Sequence, residues 1–176
     1  QDVAYLSEHE IIYILSGEII LRNGGEEIRL KRGESVIIKK GEFFEFKKLG
    51  KIIGENYESL LFFINGEFIK EFIQIYGLKN QARLPIKASM IKLEKSAILD
   101  GFMVSLFPYF SELTKKEEQV LRLKTFELLF HLSNTNQNIF DFFSQLTSKS
   151  NLSLVKTMES FYTKNMALEE FAKLSG

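Results

Sequence analysis

The sequence lacks cysteine and tryptophan, has only two histidines and two prolines, and contains no long apolar run. Without cysteine, the chain cannot form disulfides, thiolate metal sites or a cysteine nucleophile. The chain has no stretch of about 18 apolar residues, the length needed to cross a membrane, and its N-terminus lacks the basic-then-apolar pattern of a signal peptide. We therefore expect a cytoplasmic protein with no membrane partner.

The chain also lacks an excess of either charge. Lys plus Arg and Asp plus Glu both number 23, so the net charge is zero and no overall positive field attracts nucleic acid. DNA binding would have to come from a local patch or from a part of the protein outside this sequence. With 176 residues, 45% of them hydrophobic, the chain is long and apolar enough to bury a core.

The first part of the chain has the pattern of short β-strands. From residue 10 to residue 64, β-branched and aromatic runs such as "EIIYILS", "SVIIKK" and "LLFFI" are separated by glycines about every eight residues. Asn23-Gly24 predicts a two-residue hairpin turn, because such turns need positive φ at both central residues. Some runs alternate and others are apolar on both faces, which favours a small barrel covered on one flank.

From residue 66 onward the period becomes helical. We predict helices at 66–77, 96–110, 114–134, 138–147 and 153–164, with 78–94 as a connector and Thr114 and Glu117 forming a capping box. The longest helix contains "LRLKTFELLFHL", in which apolar side chains spread around much of the circumference. One face of this segment combines Lys124, Glu127 and His131. Part of this helix is therefore expected to contact a partner, such as a second copy of the chain.

Residues able to support catalysis are scarce. A metal enzyme in a barrel needs two or three histidines and a carboxylate, and the chain has only His9 and His131. "EHE" at 8–10 is interpreted as a solvated strand start, and His131 as a histidine at a helix packing interface. No phosphate-binding glycine loop and no nucleophile elbow is present. We predict no enzyme activity, no metal and no cofactor.

The order of features resembles a known family. "YILSGEIILRNGGEEIRLKRGESVIIKKGEFFEF" resembles the cupin-like N-terminal domain of AraC/XylS-family bacterial transcription regulators. "LRLKTFELLFHLSNTNQNIFDFFSQL" is similar to their dimerising linker helices, and the arrangement looks closest to the type III secretion activators. "MESFYTKN" and "LEEFAKLSG" look like the first helices of a helix-turn-helix DNA-binding domain, with Gly176 opening its turn.

The resemblance implies an α+β chain, with a cupin-like β-barrel followed by a helical dimerisation and linker layer. Its implied divisions are 1–77 for the barrel and first helix, 78–150 for the linker region and 151–176 for a truncated DNA-binding domain. It implies a sensor and dimerisation domain that forms a homodimer and reaches DNA only through the absent C-terminal part. The residues carried over for dimerisation are Leu123, Lys124, Glu127 and His131.

Two kinds of molecule could regulate the domain. A small apolar effector and a regulatory protein partner both fit the resemblance, and no residue distinguishes them. If the barrel holds a ligand, strand position alone suggests Tyr13, Phe44, Phe46 and Phe62 as pocket residues, with ordinary core packing as the competing interpretation. Two further alternatives are a cupin-type metal enzyme and a binding module with no DNA role.

Overall fold

The computed structural model describes residues 2–50, 56–76, 86–110, 115–135 and 137–147. These residues form eight strands and four α-helices. The strands are β1 Asp2–Tyr5, β2 His9–Ser16, β3 Glu18–Asn23, β4 Glu26–Lys31, β5 Ser35–Ile38, β6 Phe43–Leu49, β7 Glu58–Ile64 and β8 Met90–Leu93. The helices are α1 Gly66–Ile75, α2 Ala97–Val104, α3 Lys115–Thr135 and α4 Gln137–Thr147.

The strands form two antiparallel sheets that pack face to face. Sheet A has the order β1-β6-β3-β4, and sheet B has the order β7-β2-β5-β8. The α+β class and the cupin-like architecture are confirmed, but the sheets are not closed into a barrel. The expected connector at 78–94 contains β8, which extends sheet B because Met90–Leu93 pairs with β5.

Two glycine positions explain how the chain moves between strands. At Gly17, φ is +76°, and a Cβ would lie 2.7 Å from the Leu49 carbonyl oxygen, so only glycine fits where β2 passes to β3. The β3–β4 hairpin turns at Gly24 and Gly25, which both have positive φ. The predicted turn at Asn23-Gly24 is therefore wrong by one residue, since Asn23 pairs with Glu26 as the last rung of the ladder.

Two buried clusters hold the layers together. Side chains between the sheets include Ile12, Ile14 and Phe44, and a second cluster joins sheet B to the helices through Ile11, Phe72 and Leu129. Alternate residues of β2 serve the two clusters because successive strand side chains point to opposite faces. Burying each such side chain stabilises the fold by about 1.5–3 kcal/mol.

The helical half matches the predicted elements with some differences at their ends. The predicted helix at 96–110 is shorter: α2 ends at Val104, and a separate 3-10 turn covers Phe107–Phe110, where Pro108 cannot supply a backbone N–H. The capping box at Thr114 and the helices predicted after residue 150 lie outside the described residues. Within the described part of the chain, no helix is long and apolar enough to cross a membrane.

Candidate dimerisation and regulatory site

Helix α3 lies on the second cluster and is held on both flanks. Its underside buries Leu128, Leu129 and Leu132. On the α1 side, Phe126 stacks on Phe68 with ring centroids 4.4 Å apart. Further contacts on that side are Phe130 with Tyr76 and the ion pair of Arg122 with Glu71. Two sides of α3 are therefore apolar, because one packs on the second cluster and the other packs on α1.

On the side of α3 that faces α2, the side chains of Lys124 and His131 contact residues at the two ends of α2. Lys124 Nζ donates to Ser105 Oγ at 2.9 Å and lies 5.4 Å from the centre of the Phe102 ring. His131 Nε2 is 3.1 Å from Ser96 Oγ, and Ser96 caps α2 by accepting from the Leu99 N–H. Lys124 and His131 thus make contacts within the chain.

The remaining side of α3 faces outward. Leu123 is 67% exposed, and Val120 and Glu127 are exposed beside it at helical spacing. Val104 of α2 is also exposed, and it adjoins Ser105, which bonds the lysine next to Leu123. We call this surface the helical face and define it by Val104, Val120, Leu123 and Glu127.

The structure divides the four residues predicted for dimerisation. Leu123 and Glu127 lie on the helical face, whereas Lys124 and His131 lie between α3 and α2. Sequence reasoning missed Val104 and Val120. The apolar composition of "AILDGFMV" was the available signal for Val104, because an eight-residue helix cannot bury apolar side chains on every side.

The four predicted pocket residues are also divided, two and two. Phe44 is fully buried between the sheets, with the Phe46 ring 6.4 Å away. Tyr13 and Phe62 are on the opposite side of sheet B, in the cluster shared with the helices. They cannot line one pocket, since sheet B separates them. A surface cavity of about 240 Å³ at the β3–β4 hairpin includes none of the four.

Tyr13 and Phe62 instead join sheet B to α2. The Tyr13 hydroxyl donates to Asp100 Oδ1 at 2.7 Å, and the rings of Phe62 and Phe102 are 6.3 Å apart. Burial and the adjacent Asp100 carboxylate raise the pKa of Tyr13 to about 12, so the hydroxyl keeps its proton at neutral pH. A continuous path of contacts therefore runs from β2 through α2 to α3.

His9 differs from the expected solvated strand start, because it is only 2% exposed. Its Nδ1 accepts a hydrogen bond from the Lys40 N–H at 3.1 Å, and its Nε2 is buried without a hydrogen-bond partner among the described residues. Burial, with the nearby charges of Lys40 and Lys39, lowers the pKa of His9 to about 4. In the described part of the chain, no three His, Asp or Glu side chains are grouped as metal ligands.

Comparison with known proteins gives a family and a fold. The model of the ExsA N-terminal regulatory domain matches residues 9–142. A lysine-to-alanine variant of ToxT from Vibrio cholerae, without ligand, has a TM-score of 0.61 and 13% identity, covering 98% of this chain and 65% of that one. No curated protein matches the chain in sequence.

Two further ToxT crystal structures from Vibrio cholerae have the same fold. One, in a P21 crystal form, gives a TM-score of 0.53 at 14% identity. The other, bound to (E)-4-(8-methylnaphthalen-1-yl)but-3-enoic acid, gives 0.52 at 14% identity. Each match covers 99% of this chain and 72% of the ToxT chain.

This chain spans about two thirds of the length of those structures, and at such low identity the likeness shows the fold alone. The family follows from the matched model, which covers most of the chain and confirms the resemblance noted in the sequence. The chain belongs to the ExsA N-terminal regulatory domain family and is a regulatory domain of an AraC-type transcription regulator.

Proposed function

We propose that this domain dimerises a longer regulator through the helical face and so sets how two DNA-binding domains are presented to DNA. The single observation that carries the proposal is the exposed apolar surface on α3, whose other three sides are already packed. A long helix with an unpacked apolar face is suited to a two-fold contact with its own copy. Leu123 lies at the centre of the proposed contact.

DNA contact belongs to the part of the regulator that follows the linker helices. The charge balance supports this assignment, because specific DNA binding draws on lysines and arginines that contact phosphates. We propose 1–77, 78–150 and 151–176 as functional divisions, although β8 of the second division belongs structurally to sheet B. The domain is not an enzyme and acts in the cytoplasm, where its DNA target lies.

The regulatory input acts through α2. Because Tyr13 and Phe62 reach α2 from sheet B, and α2 is bonded to α3, an effector that displaces α2 also shifts α3. A small apolar effector is supported by the ToxT complex with a naphthyl-butenoic acid. A regulatory protein that covers the same elements would act on the same contacts.

The dimer is tested with Leu123→Glu, because a carboxylate at the centre of the interface would be desolvated without a partner. We expect the dissociation constant of the dimer to rise at least about tenfold, measured by light scattering and sedimentation. The matched control is Ile75→Glu on α1, which is also exposed. Lys124 is left unchanged, because its replacement would break the bond to Ser105.

Circular dichroism should show that both variants keep the fold. A Leu123→Glu protein that stays fully dimeric, or an Ile75→Glu protein that dissociates equally, would contradict the assignment of the helical face.

A further inference from the structure

The two-sheet sandwich is held together at one edge and open at the other. At the held edge, Lys92 of β8 donates to the Arg29 carbonyl oxygen of β4 at 3.3 Å and pairs with Glu34 at 3.0 Å. The opposite edge consists of β1 and β7, the end strands of their sheets. Within the described residues, β1 pairs only with β6, and β7 pairs only with β2. Among the described residues, both edge strands therefore have backbone groups without a strand partner.

Strand β7 exposes apolar side chains on its inner face. Leu61 is 48% exposed and Phe63 is 62% exposed. Their direct partners on β2 are Ile12, which is buried, and Glu10. Sheet A thus covers β2 but leaves β7 open, and the sequence "ESLLFFI" contains neither lysine nor proline, which commonly protect edge strands. A free, apolar strand edge of this kind is a template for strand addition.

We call Leu61 and Phe63 the apolar strip, and the charge beside it is negative. Glu10 is directly opposite Phe63, so the two side chains share one face of sheet B. Burial raises the pKa of Glu10, and among the described residues no lysine or arginine forms an ion pair with it. Lys39 and Lys40 act on His9, which lies on the opposite face of β2.

Two further charged residues, Asp2 and Lys48, lie near the open edge between β1 and β7, and they leave the end around Phe63 negative. Asp2 of β1 pairs with Phe46 and adds a second carboxylate to the inner face. Lys48 lies 5.5 Å from the centre of the Tyr57 ring, at the start of β7, away from Phe63. The negative charge at the open edge therefore disfavours binding of an apolar acid and favours binding of a protein segment that carries positive charge.

We propose that the free edge of β7 binds an extended segment of a partner protein, which joins sheet B as a fifth strand. Alternate apolar side chains of the segment cover Leu61 and Phe63, and a lysine or arginine two positions further along the same face reaches across Phe63 to Glu10. The site is separate from the helical face, so its test does not depend on dimerisation. It offers a protein partner a route to the sandwich that leaves α3 accessible.

The probe is the nine-residue synthetic peptide Thr-Val-Thr-Val-Thr-Lys-Thr-Lys-Thr, whose valines and lysines share one face of a strand. It is capped at both ends and added to the whole 176-residue chain. We expect amide chemical shifts to change mainly in β7 and β2. A peptide with glutamate in place of lysine should bind at least about tenfold more weakly. Glu10→Gln should weaken binding of the lysine peptide several-fold and reduce its dependence on salt.

The double variant Leu61→Ser, Phe63→Ser removes the apolar strip and should weaken binding at least about tenfold. The matched control is Ile98→Ser on α2, an exposed apolar residue far from β7 in the chain, which should bind normally. The comparison of the two peptides uses the unaltered chain, so it holds even if the double variant is unstable. Leu123→Glu should leave peptide binding unchanged.

Several results would overturn the proposal. These are equal binding of the two peptides, shifts centred on the helical face, and no binding at millimolar peptide. Self-association that is lost in the double variant would instead assign β7 to a second copy of the chain. Shifts at β7 caused by a naphthyl-butenoic acid alone would assign it to a small effector.

Discussion

His9 and Glu10 are neighbours in the chain but lie on opposite faces of β2, and burial affects them in opposite ways. The imidazole faces the helical layer and its pKa falls, while the carboxyl faces the open edge and its pKa rises. Burial disfavours the charged form in both cases, which lowers the pKa of a base and raises that of an acid. Each residue therefore tends toward neutrality for the same physical reason.

The pKa of His9 predicts how stability depends on pH. The folded value of about 4 lies below the unfolded value of about 6.5, so in this interval the unfolded chain binds more protons. The free energy of unfolding should therefore fall as pH decreases from about 6.5 to about 4, by roughly 2 kcal/mol from this residue. Urea unfolding at pH 7 and pH 4.5 measures the difference.

His9→Gln is the informative variant, because a glutamine oxygen can still accept from the Lys40 N–H but does not titrate in this range. It should lose most of the pH dependence that the unaltered chain shows. His131→Gln is the matched control and should keep it. If both variants depend on pH as the unaltered chain does, burial of His9 is not the cause.

Sequence reasoning could not place His9 correctly. "EHE" consists of polar residues at a strand start, and such segments are usually solvated. The buried ring accepts a hydrogen bond from the N–H of Lys40, which lies 31 positions further along the chain. No local pattern reports a contact of that sequence separation.

At the scale of elements, the attachment of α2 to α3 gives a measurable coupling. Ser96 has two roles, since its hydroxyl caps α2 and contacts His131. Ser96→Ala should destabilise the domain by about 1 kcal/mol through the cap alone. In a double-mutant cycle with His131→Ala, the interaction energy of the two positions should be about 0.5–1 kcal/mol.

Chemical denaturation of the four proteins of the cycle measures this energy. Ser144, which bonds within α4, supplies a control partner for His131→Ala through Ser144→Ala. Additive effects of Ser96→Ala and His131→Ala, with no interaction energy, would mean that the two side chains do not bond in solution.

Most elements were predictable because their patterns are local. Glycines such as Gly17 and Gly33, both with positive φ, mark strand ends, and the helical period of α1 is clear in its sequence. Strand β8 was missed because four residues, "MIKL", are too few to show a period. The apolar residues around α3 predicted a contact with a partner, but only the packing against α1 and α2 identifies which side remains free.

For the whole molecule, the sequence indicated an α+β chain with one covered flank, and the structure confirms that arrangement. The prediction of a closed barrel was wrong, because β7 has exposed inner-face residues that a closed barrel would cover. Local alternation reports which residues face a core, but the distance between the edges of two sheets depends on their relative twist. The same limit explains why four pocket residues chosen by strand position fell on both sides of sheet B.

The proposed dimer predicts the DNA-binding behaviour of the whole regulator. The 176-residue chain alone should give no sequence-specific shift in a gel assay, since its net charge is zero and recognition helices read base edges. The full-length protein should bind a site with two half-sites, and Leu123→Glu should weaken that binding at least about tenfold by removing the link between the two DNA-binding domains. A specific shift by the isolated chain, or unchanged binding by the full-length variant, would contradict this account.

Helix α2 has only eight residues, which is too short for a helix to persist alone in water. Its presence therefore depends on the hydrogen bonds of Asp100 with Tyr13, Ser96 with His131 and Ser105 with Lys124, together with its buried apolar side chains. Loosening one of these bonds lowers the free energy of local unfolding of α2 while the sandwich stays folded. A regulator that contains such an element can respond to a weak signal, because melting one short helix requires far less free energy than rearranging a core.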